Sequence, residues 1–382
     1  VKILFVQRVK AYAGSERYFT TLVPELIRRG IHCQLLFVIH PKDADKLTVM
    51  FDTIRQLQIP CEVIYSKRKF SLKLLRRLNG FAKRETYDLI HVHLIQAEFW
   101  FSVIRRWLNK SLRLVSTIHG FDEKFQQLHG FDPSKVGNSL YVRLLRFNQP
   151  QIIRHAAVSN SLKNLMSRAG IIPEEKISVI YYGANYEAIP RSEKRSSKRI
   201  VLVPGRVIPY KGQDLFIQAI PSILKSFPEV QFHFAGECQG KFRIELEKMI
   251  QDFGIEKNVN FLGHVNDMNS LYAISEMVVL PARSEGFGLV MTEAFNAGIP
   301  VVAFDVSAFN EVIEDGLTGI LCPAYDTDQL AAAVVRLLKD EMLRKSIAAN
   351  ARQKLLRDFS LDRMASETIQ FYETAISARR LG

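Results

Sequence analysis

What most limits the fold of this chain is a rhythm of short apolar runs and amphipathic segments that runs once, breaks, and starts again. Residues 3–6, 35–39, 62–65, 89–92, 114–118, 156–158 and 179–181 read as buried strands, with helical patterns between most of them. The first helix carries Tyr18, Leu22 and Leu26 at a spacing of four, and Ser15 stands where an N-cap is expected. Residues 186–199, YEAIPRSEKRSSKR, then bring dense charge without an apolar period, the composition of a linker. The second cycle has strands at 200–203, 231–235, 259–262, 277–280 and 301–304, and helices at 213–224, 243–253, 289–296 and 327–338. Strands alternating with helices imply parallel sheets covered on both faces. The expectation is an α/β chain of two Rossmann-like doubly wound domains. Residues 1–185 form the first, 186–360 the second, and an amphipathic helix over 361–382 returns to the first.

Charge divides the chain in the same place. Residues 1–190 hold 29 Lys and Arg against 15 Asp and Glu, a net of +14, while the rest of the chain has a net of −1. Such asymmetry points to an anionic partner: lipid headgroups, nucleic acid or an acidic glycan. The densest stretch, residues 66–84, interleaves Leu72, Leu74, Leu75 and Leu78 with Lys67, Arg68, Lys69, Lys73, Arg76, Arg77, Lys83 and Arg84. Two readings are open: a helix lying on a membrane, or a surface helix whose leucines face the core. Residues 99–108 read as a buried helix with a basic edge. No zinc-finger spacing, RNP-like sequence or helix-turn-helix signal supports nucleic-acid binding. No apolar run reaches the length of a membrane span, and the N-terminal residues do not read as a signal peptide. The four cysteines are scattered without a CxxC pair, so neither a zinc site nor a disulfide framework is expected. The expected setting is cytoplasmic, peripheral on the inner face of the cell membrane.

In open α/β sheets ligands bind beyond the carboxyl ends of the strands. Two loops there carry chemistry. In Gly205-Arg206-Val207-Ile208-Pro209-Tyr210-Lys211-Gly212, two cations approach a helix N-terminus, a combination suited to a diphosphate. In Arg283-Ser284-Glu285-Gly286-Phe287-Gly288-Leu289-Val290-Met291-Thr292-Glu293, two glycines admit close backbone approach and two carboxylates can accept from sugar hydroxyls. The bland alternatives are a solvated loop with unrelated charges, and two glutamates that simply favour a helix N-terminus.

The ordered set of Gly205-Arg206, Lys211-Gly212, Gly236, Gly263, Glu285, Glu293 and Glu311…Gly319 resembles the retaining group 1 (GT4) glycosyltransferases of GT-B fold. The resemblance covers the whole chain and is strongest over 199–340. It implies two Rossmann-like domains facing each other across a cleft. It also implies metal-independent transfer of a hexose-type sugar, with retention, from a nucleotide-sugar that is by default a UDP-sugar. With the basic first half supplying the contact, the main reading of the acceptor is a lipid-linked or cell-envelope polysaccharide. Arg206 and Lys211 match the diphosphate clamp, Glu293 the ribose-binding carboxylate, and Glu285 the carboxylate that meets the donor sugar. Phe287, Gly288 and Leu289 would lie along sugar and phosphate, with Gly236 and Val265 at the base. Gly14 matches the glycine loop after the first strand, where Ala13 departs from the usual glycine pair, and His119 matches a strand-end histidine facing the sugar. His93 would approach the acceptor. Ser307-Ala308 stand where paired glycines are common, which puts sugar contacts from that loop in doubt. No resident cofactor or metal is expected, and no side chain stands out as a nucleophile. A nucleotide-sugar epimerase on the same fold is the main alternative, and a basic nucleic-acid-binding protein the lesser one.

Overall fold

The computed structural model describes residues 1–12, 14–187, 189, 199–238 and 240–378. Most of the expected linker, and Ala13, lie outside these. The chain forms two compact units, one of residues 1–122, 132–184 and 359–382, the other of residues 123–131 and 185–358.

The first unit holds seven strands: β1 (Lys2–Val9), β2 (His32–Ile39), β3 (Cys61–Tyr65), β4 (Leu89–His93), β5 (Leu114–Ile118), β6 (Ile152–Ala157) and β7 (Ile177–Val179). All neighbours pair in parallel, in the order β3-β2-β1-β4-β5-β6-β7. Helices cover both faces, so the central strands are mostly apolar, and β4 and β5 are buried at every residue, including the polar His91, His93, Ser116 and Thr117. The helix Gly14–Arg28 follows β1. It begins one residue before Ser15, so Ser15 is not its cap; its hydroxyl accepts from Gln7 Nε2 at 3.3 Å instead.

The two open readings of residues 66–84 resolve toward the core. Ser71 caps the helix Leu72–Ala82, and Leu74, Leu75, Leu78 and Phe81 are buried against Ile90, Trp100, Phe101 and Ile104. That stripe stabilises the unit by roughly 1.5–3 kcal/mol per buried side chain, while Leu72 and Phe70 stay exposed outside it. The helix Leu94–Trp107 is likewise buried along Trp100, Phe101, Val103 and Ile104. The C-terminal helix Leu361–Ser377 packs in this unit through Phe371, Tyr372 and Ala375.

The second unit repeats the plan with six strands: β8 (Ile200–Pro204), β9 (Gln231–Ala235), β10 (Val259–Gly263), β11 (Met277–Leu280), β12 (Val301–Phe304) and β13 (Ile320–Cys322). Their order is β10-β9-β8-β11-β12-β13, again all parallel. Only β13, three residues long, escaped the sequence pattern. In each unit the order reverses beside the first strand, between β1 and β4 and between β8 and β11. Two loops diverge there and leave a crevice.

Candidate functional site

The loop after β8 turns at Gly205, forms a short 3-10 turn over Pro209–Lys211 and enters the helix Gln213–Leu224 through Gly212. Gly212 has φ +69°, and a Cβ there would lie 1.8 Å from the Pro281 carbonyl oxygen. No other residue fits, and the close approach brings the loop against the one after β11. Arg283 fastens the two. Its backbone N–H donates to Tyr210 O at 2.9 Å, one guanidinium nitrogen donates to Pro209 O at 2.5 Å, and a fork of 2.8 and 2.6 Å grips the Asp214 carboxylate.

The charges gather around Tyr210. Lys211 Nζ is ion-paired with Glu285 and lies 5.5 Å from the Tyr210 ring centre. Arg206 donates to the Tyr210 hydroxyl at 3.0 Å and to Glu123 Oε1 at 2.9 Å. Burial is the largest single influence on Lys211 and opposes its charge, but Glu285 and Tyr210 together outweigh it and raise the ammonium pKa. Arg206 shows the same balance, with burial outweighed by Tyr210 and Glu123. The sequence-named Arg206, Lys211 and Glu285 therefore share one patch.

Glu293 stands further along the helix Leu289–Asn296 and accepts from the Tyr272 hydroxyl at 2.8 Å. Tyr186 is also near: burial lifts its hydroxyl pKa to about 12, and its partners are Thr292 and Glu293. The cap of this helix, Gly288, has φ +89° and offers no side-chain bond to the first turn. A Cβ there would meet Phe309 Cε1 at 2.8 Å. Uncapped amides beside two cations form an anion-binding arrangement. Phe287 is buried and Leu289 half-buried. Ala308 adopts φ +65°, so this loop keeps a glycine-like backbone despite lacking glycine, at a cost of about 1–2 kcal/mol. Ser307 Oγ lies 3.4 Å from Glu285 N. Gly205 N donates to Ala235 O at 2.8 Å and Gly236 bridges Gly263, which sets both glycines at adjacent strand ends. Val265 is half-buried just past β10.

In the first unit, Gly14 opens the helix after β1. His119 follows β5, with Nδ1 2.5 Å from the Tyr182 hydroxyl and Nε2 2.8 Å from His93 Nδ1. His93 is wholly buried, so it supports His119 and does not present itself to an acceptor, as the sequence had suggested. His91 is held by Tyr372 at 2.8 Å and Thr117 at 2.7 Å. Burial pushes His119 down to about 3 and holds His91 and His93 well below the ordinary imidazole range. Sequence reasoning passed over Tyr182, Tyr272, Glu123 and the Arg283–Asp214 fork. Tyr210 and Arg283 lay inside quoted motifs without a role. The others have partners 21 to 83 residues away, which no local spacing signals.

Two Rossmann-like units, the second with cations and carboxylates at its switch point, define a two-domain GT-B fold. The family model for glycosyl transferases group 1 matches residues 185–354, and that for glycosyltransferase family 4 matches residues 12–188. The chain belongs to the GT4-type group 1 glycosyltransferases and is a transferase enzyme. It is 27% identical to alpha-D-kanosaminyltransferase of Streptomyces kanamyceticus, over 92% of this chain and 97% of that protein. It is 27% identical to a phosphatidyl-myo-inositol mannosyltransferase of Mycobacterium leprae, over 96% and 94%. Among solved structures, HepE of Anabaena in complex with UDP shares the fold with a TM-score of 0.81 at 22% identity, covering 98% of this chain and 100% of that one.

Proposed function

We propose that this glycosyltransferase moves a hexose-type sugar from a UDP-sugar, with retention of configuration, to a lipid-linked or cell-envelope polysaccharide acceptor. The observation that carries the donor half is the Arg206–Tyr210–Lys211–Glu285 cluster beside the uncapped N-terminus of helix Leu289–Asn296. In the proposed reaction the bond between the anomeric carbon and the β-phosphate oxygen breaks. The acceptor oxygen bonds to the same face of that carbon, and its proton passes to the departing phosphate. Arg206 and Lys211 offset the diphosphate charge as it develops, where fixed charges contribute most. Donor binding separates Lys211 from Glu285 and releases that carboxylate to accept from sugar hydroxyls, while Glu293 accepts from the ribose. Gly205, Gly236 and Val265 border the base. In the first unit the reading assigns His119 and Gly14 to the reaction. The solved complexes of Anabaena HepE with UDP and with UDP-glucose favour a uridine donor.

The acceptor half draws on the surface of the first unit. Residues 63–84, 99–121 and 133–173 contain no Asp or Glu. Phe70, Leu72, Trp107 and Leu108 are exposed there, and the Arg106 guanidinium lies 5.5 Å from the Trp107 ring centre and 5.7 Å from that of Phe147. Exposed aromatic and basic side chains together suit an anionic lipid surface. Among the described residues no helix is long and apolar enough to cross a membrane, so the proposed contact is peripheral.

A panel of nucleotide-sugars tested for thermal stabilisation, followed by mass spectrometry of slow donor hydrolysis, tests the donor assignment. Stabilisation by a UDP-sugar and release of UDP are expected. Indifference to every nucleotide-sugar would overturn the reading, and release of an epimerised free sugar would replace it with an epimerase.

A further inference from the structure

The histidine pair at the ends of β4 and β5 constrains its own protons. Burial keeps both rings neutral, so each carries one N–H, and the 2.8 Å contact between His93 Nδ1 and His119 Nε2 needs one hydrogen between them. If His119 supplies it, the His93 proton sits on Nε2. That atom is buried with no hydrogen-bond partner, in a ring packed by Phe5, Tyr18 and Phe19. If His93 supplies it, Nε2 is left as a bare lone pair. A buried donor without a partner is rarer and costlier than an under-used acceptor.

We propose that His93 is a positioning residue: its Nδ1–H donates to His119 Nε2 and thereby places the His119 proton on Nδ1, which donates to the Tyr182 hydroxyl oxygen. The Tyr182 hydroxyl hydrogen then points away from the imidazole. Both His119 nitrogens are committed, so this ring is not the base that deprotonates an acceptor. It is a fixed strut that orients the Tyr182 hydroxyl as a donor near the carboxyl end of β5. The catalytic relevance rests on the placement of His119 in the reaction proposed above; the tautomer does not.

Long-range proton–nitrogen NMR of the full chain labelled with nitrogen-15 in histidine, with His119 assigned through His119→Gln, reads the tautomer directly. The His119 proton is expected on Nδ1. His93→Asn, whose amide nitrogen can stand in for Nδ1, should retain that pattern and most of the turnover. His93→Leu should release it to Nε2 and lower kcat on the order of ten-fold, with KM little changed, as expected for a residue acting through another side chain. A His119 proton on Nε2 in the unaltered protein, or an unchanged tautomer in His93→Leu, overturns the proposal. If His93→Leu does not fold, the tautomer of the unaltered protein decides alone. If the Nδ1 tautomer holds but neither His93 variant alters transfer, the role of His119 in the reaction fails while the proton assignment stands.

Discussion

Arg283 and Asp214 are joined by a two-pronged charge-assisted fork, at 2.8 and 2.6 Å, that ties the loop after β11 to the helix after β8. Both side chains are about four-fifths shielded from solvent. The fork holds the segments bearing Lys211 and Glu285 in register. Arg283→Lys keeps the charge but loses the planar fork. We expect it to destabilise the second unit by about 2 kcal/mol, read by chemical denaturation, and to weaken donor binding. Stability and affinity both equal to the unaltered protein would show that the fork is incidental.

Lys211→Ala removes one cation of the cluster, and Glu293→Ala leaves the Tyr272 hydroxyl without that acceptor. Each should raise the Kd for the donor nucleotide at least about ten-fold, or 1.4 kcal/mol, by calorimetry. Unchanged affinity in both would remove these residues from the binding site.

If Arg206 grips a diphosphate as proposed, Glu123, its partner here at 2.9 Å, competes with that ligand. Both side chains are more than half exposed, so the pair is worth no more than about 1 kcal/mol. Glu123→Gln should therefore tighten donor binding only a few-fold at low salt, and the gain should fade as salt screens it. Weaker binding in Glu123→Gln would mean that Glu123 supports the donor.

His91, His93 and His155 are buried and His119 is half-buried, and desolvation lowers the pKa of each, to about 3 for His119 and His155. The unfolded chain therefore binds more protons than the folded one between the ordinary value near 6.5 and the folded value. Stability is present in full above about 6.5 and falls as pH drops through the window, by at most about 1.4 kcal/mol per pH unit for each group. Melting temperatures from pH 7.5 to 5 should decline for the first unit. A flat profile across that range would contradict buried, neutral imidazoles.

Trp107→Ala combined with Arg106→Ala should reduce co-sedimentation with vesicles containing anionic lipid while leaving binding to the donor nucleotide unchanged. Retained co-sedimentation, or equal affinity for neutral vesicles, would remove this face from the acceptor half of the proposal.

The strands of both sheets were legible because a strand covered on both faces is mostly apolar, and β5, β9, β11 and β12 run where the largely apolar runs stand. β13 was not, because three residues carry too little pattern. Ser15 misled: it lies inside the helix, which begins at Gly14, and its hydroxyl bonds Gln7, a partner on β1 that a local N-cap signature does not signal. The leucines of residues 72–82 had two readings because an amphipathic stripe looks the same facing lipid or protein; only the presence of β4 and the helix Leu94–Trp107 beneath them decides it.

Amino-acid order alone determined two parallel α/β units, a basic first half, and the positions of Arg206, Lys211 and Glu285 on loops at strand ends and of Glu293 in the helix that follows, because periodicity and loop placement are properties of neighbouring residues. Tertiary structure alone decided that Glu285 pairs with Lys211, that Arg206 meets Tyr210 and Glu123, that Arg283 serves as a fastener, and that His119 has both nitrogens occupied. Hydrogen bonds and ion pairs act over about 3 Å, and which groups come that close depends on how strands 20 to 80 residues apart are ordered in the sheet.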